Sequence, residues 1–272
     1  MAKKQALPVK PIVEAEDALF LDPIEVQTLR NNWVNYSLDS IYQLFLPPES
    51  LTGKVIGFMI DNTDLASFFP TGNPIAGSEI IFYMGADLNA GPGQPQFAPI
   101  AQLLLPGEDP FAYNRCLKLN WKSDVVLPNA ANASFVSPDG SNLKGIIVRK
   151  GAASRIVKDF PINTSLVWDF VSRWYLSSVN RNLFYSDLYG ARLAFYTFNA
   201  NDTNMIWNAF INRTTNKDTD GLLMYCGVNM NINQNEPFPF RIILWMNQQT
   251  LISEPQFFEF ANPCPPFCKE EE

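Results

Sequence analysis

Apolar positions fall at helical spacing twice along this chain, about 140 residues apart. In DPIEVQTLRNNW, Val26, Leu29 and Trp33 stand at i, i+3 and i+7, and Val167, Phe170 and Trp174 repeat the stripe in NTSLVWDFVSRW. Such a stripe is what one buried face of a helix requires. Each has its own start signal: Asp22 before Pro23 with Glu25 behind it, and Asn163 in the later copy. Small polar side chains there accept from the unpaired N–H groups of the first turn. Two-residue alternation follows, as strands demand. Ile56 and Phe58 predict a strand that Leu193 and Phe195 repeat. A short helix capped near Asn62 and Asn204 comes next, with Leu65, Phe68 and Phe69 answering Trp207, Phe210 and Ile211. Ile80, Phe82 and Met84 then line one face of a second strand, matched by Leu222, Met224 and Cys226. A last strand over 100–105 is matched over 240–245.

The letters follow the pattern. SEIIFYMGADLN from Ser78 lies on DGLLMYCGVNMN from Asp220, with Tyr83 on Tyr225, Gly85 on Gly227 and Asn89 on Asn231. LTGKVIGFMI from Leu51 lies on LYGARLAFYT from Leu188, with Gly53 on Gly190 and Phe58 on Phe195; extra residues around Asn199 to Thr203 restore the later spacing. The predicted fold class is therefore α+β: internally duplicated α-β-α-β-β units in pseudo-twofold symmetry, with mostly antiparallel sheet. The division follows as an N-terminal arm over 1–20, a first repeat with a β extension over 21–160, a second repeat over 161–260, and a tail over 261–272 rich in cysteine, proline and acid. Within the extension, Leu117, Leu119 and Trp121 alternate with Lys118 and Asn120 as a further strand.

Two short motifs, the strand Ile80-Ile81-Phe82-Tyr83-Met84-Gly85 and the ending Cys264-Pro265-Pro266-Phe267-Cys268, resemble those of a group of uncharacterised bacterial proteins. That group has an Ile-x-x-Tyr-x-Gly strand and a Cys-Pro-x-x-Cys tail. The resemblance brings no established activity with it.

Composition narrows the chemistry. There is no histidine, which removes Ser-His-Asp and Cys-His catalysis, histidine zinc sites and the usual near-neutral proton carrier. A net charge of -7 argues against a nucleic-acid partner, since phosphate backbones call for a concentrated basic surface. No apolar run is long enough for a membrane span and the start lacks a signal-peptide core, so the expected location is cytoplasmic. No cofactor motif, Walker loop, GxGxxG or GxSxG, is present.

Four cysteines allow a thiolate metal site, but the duplication sets Cys226 on Met84 in a buried strand face, the place of a core thiol. Cys264 and Cys268 remain a redox or metal candidate whose thiols a cytoplasmic setting keeps reduced. On the strand face opposite the apolar one, Tyr83 and Gly85 with Asp87, and Tyr225 and Gly227 with Asn229, form paired candidate contacts for a ligand or partner; glycine there leaves room for a close approach. The competing account is packing, a tyrosine covering glycine. Trp33 and Trp174 at helical spacing belong to the core. The carboxylates Asp61, Asp64, Asp87, Asp169, Asp187, Asp202 and Asp220 mostly occupy cap and turn positions.

Three functions fit. The first is a non-enzymatic binding or assembly module whose protein partner, a second copy included, meets the equivalent loops over 89–99 and 231–239. The second is a carboxylate- or tyrosine-based enzyme with a cleft between the repeats. The third is a structural subunit of a larger particle or filament.

Overall fold

The structure, a computed structural model, describes residues 20–46, 55, 57–60, 62–69, 76–90, 95–121, 170–171, 173–174, 176–204, 206–207, 222–230, 237–246, 256–258 and 262–264. It is α+β with antiparallel strand pairing throughout the described residues.

Helix α1 runs Pro23–Asn35. Asp22 caps it, its Oδ1 accepting from the Ile24 N–H at 2.7 Å, with Pro23 spending its missing N–H where no partner exists. Val26, Leu29 and Trp33 are the buried face. The later stripe is helical at residues 170, 171, 173, 174 and 176, with Phe170 and Trp174 buried; Val167, Asn163 and Asp169 lie outside the described residues. A 3-10 segment, Leu38–Phe45, buries Ile41, Leu44 and Phe45.

The strands are β1 Gly57–Ile60, β2 Glu79–Tyr83, β3 Ala86–Asp87, β4 Gln96–Phe97, β5 Ile100–Leu104, β6 Cys116–Lys118, β7 Asn120–Trp121, β8 Tyr185–Ser186, β9 Ala191–Arg192, β10 Phe195–Phe198, β11 Leu222–Val228, β12 Phe240–Met246, β13 Gln256–Phe258 and β14 Asn262–Cys264. One five-stranded sheet has the order β13-β12-β11-β1-β7, the other β14-β10-β2-β5-β6. Each sheet thus draws strands from both halves of the chain: β1 lies against β11, Phe58 opposite Met224, and β10 against β2, Tyr196 opposite Phe82. At one margin β6 passes into β7 through Leu119, whose N–H donates to Pro99 O at 2.9 Å. At the other, β13 and β14 divide between the sheets in the same way.

The main core lies between the sheets. Phe58, Ile60, Met224 and Leu244 of the first sheet share it with Ile80, Phe82, Ala101 and Tyr196 of the second. A smaller cluster, Val26, Leu29, Ile81, Tyr83, Ile100, Cys116 and Phe195, lies on the outer face of the second sheet under α1. The predicted faces of β2 and β11 hold, with Ile80, Phe82, Met84, Leu222, Met224 and Cys226 in the main core. Two indoles tie the halves together: Trp33 Nε1 donates to Leu193 O at 2.8 Å and Trp174 Nε1 to Val55 O at 2.9 Å.

Three details differ from the sequence expectation. Leu193 belongs to the main core and Phe195 to the outer cluster, so they do not share a strand face. The strand begins only at Phe195, and Leu193 precedes it as an irregular residue whose carbonyl serves Trp33. The second short helix is capped by Asn199 rather than Asn204: Asn199 Oδ1 accepts from the Asn201 N–H at 2.8 Å, and Asn204 lies inside the helix. No extra residues separate strand from helix there. One residue follows Phe198 before the helix at 200, as one follows Ile60 before helix α2, Asn62–Phe68.

Candidate functional site

The two tyrosines both lie in strands but do not meet. Tyr83 ends β2 and Tyr225 lies within β11, in different sheets, and each points away from the main core that its neighbours Phe82 and Met224 enter. Both are fully buried. The Tyr83 hydroxyl lies 2.6 Å from Gln102 Oε1 and 2.7 Å from Pro110 O, its single proton shared between these acceptors. Burial pushes both phenols well above their ordinary range.

The glycines hold helices close to the sheets. A Cβ on Gly85 would stand 2.3 Å from Ala98 O and 3.4 Å from Leu29 Cβ of α1; one on Gly227 would stand 2.9 Å from Ile243 Cδ1 and 3.1 Å from Phe170 Cβ. At Gly85 the backbone oxygen of Ala98 excludes a side chain while α1 stands at ordinary contact distance, and at Gly227 the Ile243 side chain and the helix at Phe170 together leave little room for one.

Asp87 lies at the base of the first candidate loop and is ion-paired with Lys118 of β6. Burial alone would raise its carboxyl, but the hydrogen bonds from Lys118 and the Asn89 N–H, with the Lys118 charge, bring it below the usual carboxylate value. Asn229 is buried at the base of the second loop, its N–H donating to Pro239 O at 2.8 Å. The loop bases come together: Phe97, next to the Asp87–Gln96 pair, and Phe240, next to Pro239, make an edge contact with ring centroids 6.3 Å apart. One residue beyond each base an apolar side chain is open to solvent, Leu88 at 43 % and Met230 at 60 %. Residues 91–94 and 231–236 of these loops lie outside the described residues.

The thiols are placed apart. Cys226 is buried in the main core and Cys116 in the outer cluster; burial pushes the Cys116 thiol up to about 12, the state of an unreactive thiol. Cys264 lies in β14, and Cys268 lies outside the described residues. Among the described residues no three Cys, Asp or Glu side chains are grouped to hold a metal ion. Asp202 is 1 % exposed and neither carboxylate oxygen has a hydrogen-bond partner of good geometry. Burial pushes it up to about 6, with the backbone of Asn199 pulling weakly downward. Its neighbours Ala200 and Thr203, though not Asp202 itself, line a small cavity of about 40 Å³ between Phe69, Trp207, Leu103 and Leu105. Asp187 is exposed beside Arg181, and Asp61, Asp169 and Asp220 lie outside the described residues.

Sequence reasoning passed over Arg30 and the loop that surrounds it. The guanidinium carbon lies 4.7 Å from the centre of the Tyr83 ring, 5.1 Å from Tyr113 and 5.9 Å from Phe111. The signal was present in DPFAYNR, where a turn opener precedes two aromatics and a cation. Among the described residues no helix is long and apolar enough to cross a membrane. Comparison of the chain with protein-family models, with curated proteins and with solved structures found no match.

Proposed function

We propose that this protein is a non-enzymatic binding or assembly module, built from one ancestral unit used twice, whose protein partner meets the paired loops that begin at Asp87 and Asn229. Reciprocal contacts support the duplication. Leu193 stands two residues ahead of β10 as Val55 stands two ahead of β1, and each carbonyl receives the indole N–H of the other half. The Leu193 N–H donates to Phe184 O and the Val55 N–H to Phe45 O, at 2.8 and 2.9 Å. Phe45 and Phe184 then stack on each other at 5.3 Å with their planes 10° apart, where a pseudo-twofold axis would pass. The strand orders agree: exchanging β1 for β10, β2 for β11, β5 for β12, β6 for β13 and β7 for β14 turns either sheet into the other. On this basis Phe58 corresponds to Tyr196, one residue on from Phe195.

The observation that carries the functional proposal is the pair of exposed apolar residues, Leu88 and Met230, at equivalent positions one step outside the Phe97–Phe240 contact. Isolated apolar residues on a surface need no explanation. Two that leave the body from adjoining loop bases support the reading of a shared surface for a protein partner, and a second copy of the chain is one such partner.

Photo-crosslinking tests this directly. A crosslinking amino acid at position 88 and, separately, at position 230 is expected to capture the same protein, whereas one at Ile24, which is 74 % exposed on α1, captures none of it. Equal capture at Ile24, or different proteins from 88 and 230, would overturn the shared surface.

A further inference from the structure

The two helices place different chemistry at one corresponding position. Arg30 follows Leu29 in α1, and Val171 follows Phe170 in the later helix; Val171 is 1 % exposed, whereas Arg30 is half-buried. The later helix fills this place with a plain apolar side chain, and the first half puts a guanidinium there. One N–H of Arg30 donates to the Tyr113 hydroxyl, and the faces of Tyr83, Phe111 and Tyr113 surround the cation. Aromatic faces attract such a charge through their quadrupoles and hold its plane in place. The segment that brings two of these rings in holds two non-glycine residues in the left-handed region, Tyr113 at φ 52° and Arg115 at φ 51°, which costs backbone energy.

Two acids of the same loop have partners of their own. Glu108 takes Arg115 on both carboxylate oxygens and accepts the Leu105 N–H, and Asp109 accepts the Phe111 N–H. None of the ion pairs of the described residues includes Arg30. A guanidinium carries several donors in a planar fork matched to carboxylate or phosphate oxygens, and here one donor is used.

We infer that Arg30, held in the ring cage of Tyr83, Phe111 and Tyr113, is a binding point for an oxyanion, the carboxylate or phosphoryl group of a ligand or partner. The comparison with Val171 rests on the duplication proposed above; the cage and the unpaired cation do not. The site lies beside the first candidate loop, since Asn32 on the next part of α1 donates from Nδ2 to Ala86 O at 3.1 Å.

The test titrates the full chain, labelled at arginine side chains with nitrogen-15, with inorganic phosphate and with acetate against a sodium chloride background, reading the Arg30 Nε resonance. A saturable shift of that resonance is expected. A response to phosphate alone assigns a phosphoryl source, and a response to acetate assigns a carboxylate. Arg30→Val, which installs the side chain of the other half, should stay folded and bind about tenfold or more weakly, with Arg30→Lys intermediate. No saturable shift with either anion, or equal affinity in Arg30→Val measured by calorimetry, overturns the site. If Arg30→Val does not fold, the wild-type resonance and Arg30→Lys decide. Crosslinking at 88 and 230 reads the exposed loop side chains and the titration reads the Arg30 guanidinium, so the failure of one is distinguishable from the failure of the other.

Discussion

A carboxylate such as Asp202, 1 % exposed and without a well-placed hydrogen bond, works against the fold whenever it is charged. Its carboxyl, raised to about 6, compares with about 3.9 for an unfolded aspartate. A raised acid binds its proton more tightly in the folded state. Its destabilising effect is therefore absent below pH ~4, develops as pH rises from ~4 to ~6, and is complete above that window. Asp202→Asn should raise stability at pH 7.5 by on the order of 2 kcal/mol, and the gain should vanish near pH 3.5. Urea unfolding at the two pH values checks this; an equal gain at both would mean that packing, and not charge, was changed. The sequence listed Asp202 among cap and turn acids, and Asn199 does cap this helix. It could not reveal the burial, because the third helical residue faces inward or outward according to which strand it follows. Arg30 was illegible for a related reason. On the helix stripe it is a charged neighbour of Leu29, and only the loop at 109–115, distant in sequence, turns its surroundings into a cage.

Helices were more legible than strand registers. The stripe Val26, Leu29, Trp33 predicts α1 and its buried face because three apolar residues at helical spacing leave one orientation open. In strands a slip of one residue exchanges the faces, and letter matching set Phe58 on Phe195 although Phe58 lies in the main core and Phe195 in the outer cluster. Gly85 and Gly227 were legible as points of close approach, though not what approaches them, the backbone of Ala98 in one case and the side chains of Ile243 and Phe170 in the other. Their geometries separate in cost. A methyl on Gly85 meets the backbone oxygen of Ala98 at 2.3 Å, which cannot yield without moving the pairing of β3 with β4; on Gly227 it meets the far end of the Ile243 side chain at 2.9 Å and Phe170 Cβ at 3.1 Å. Gly85→Ala should destabilise by about 3 kcal/mol or more and Gly227→Ala by about 1 to 2 kcal/mol. Chemical unfolding of the two variants side by side measures this, and the reverse order would mean that the sheet under α1 is the more yielding of the two.

At the scale of the molecule, the periodicity of a strand names the face it buries but not the strand it lies beside. Halves of about 130 residues, the size of ordinary domains, therefore left open whether each half closes its own sheet. The pairing of β1 with β11 and of β10 with β2 places both halves in each sheet, and the indoles of Trp33 and Trp174 cross in the same sense. Neither half then keeps its own first strand, and opening one removes a central neighbour from the sheet of the other. Chains of this length commonly unfold in parts, but here the parts share their middles. Calorimetry should give one heat-absorption peak whose van't Hoff and calorimetric enthalpies agree, and Gly85→Ala, a change in the first half alone, should move that peak whole to lower temperature. A second peak that stays at the wild-type position in Gly85→Ala would mean that residues beyond about 170 hold a fold of their own, and that the exchanged strands contribute little to it.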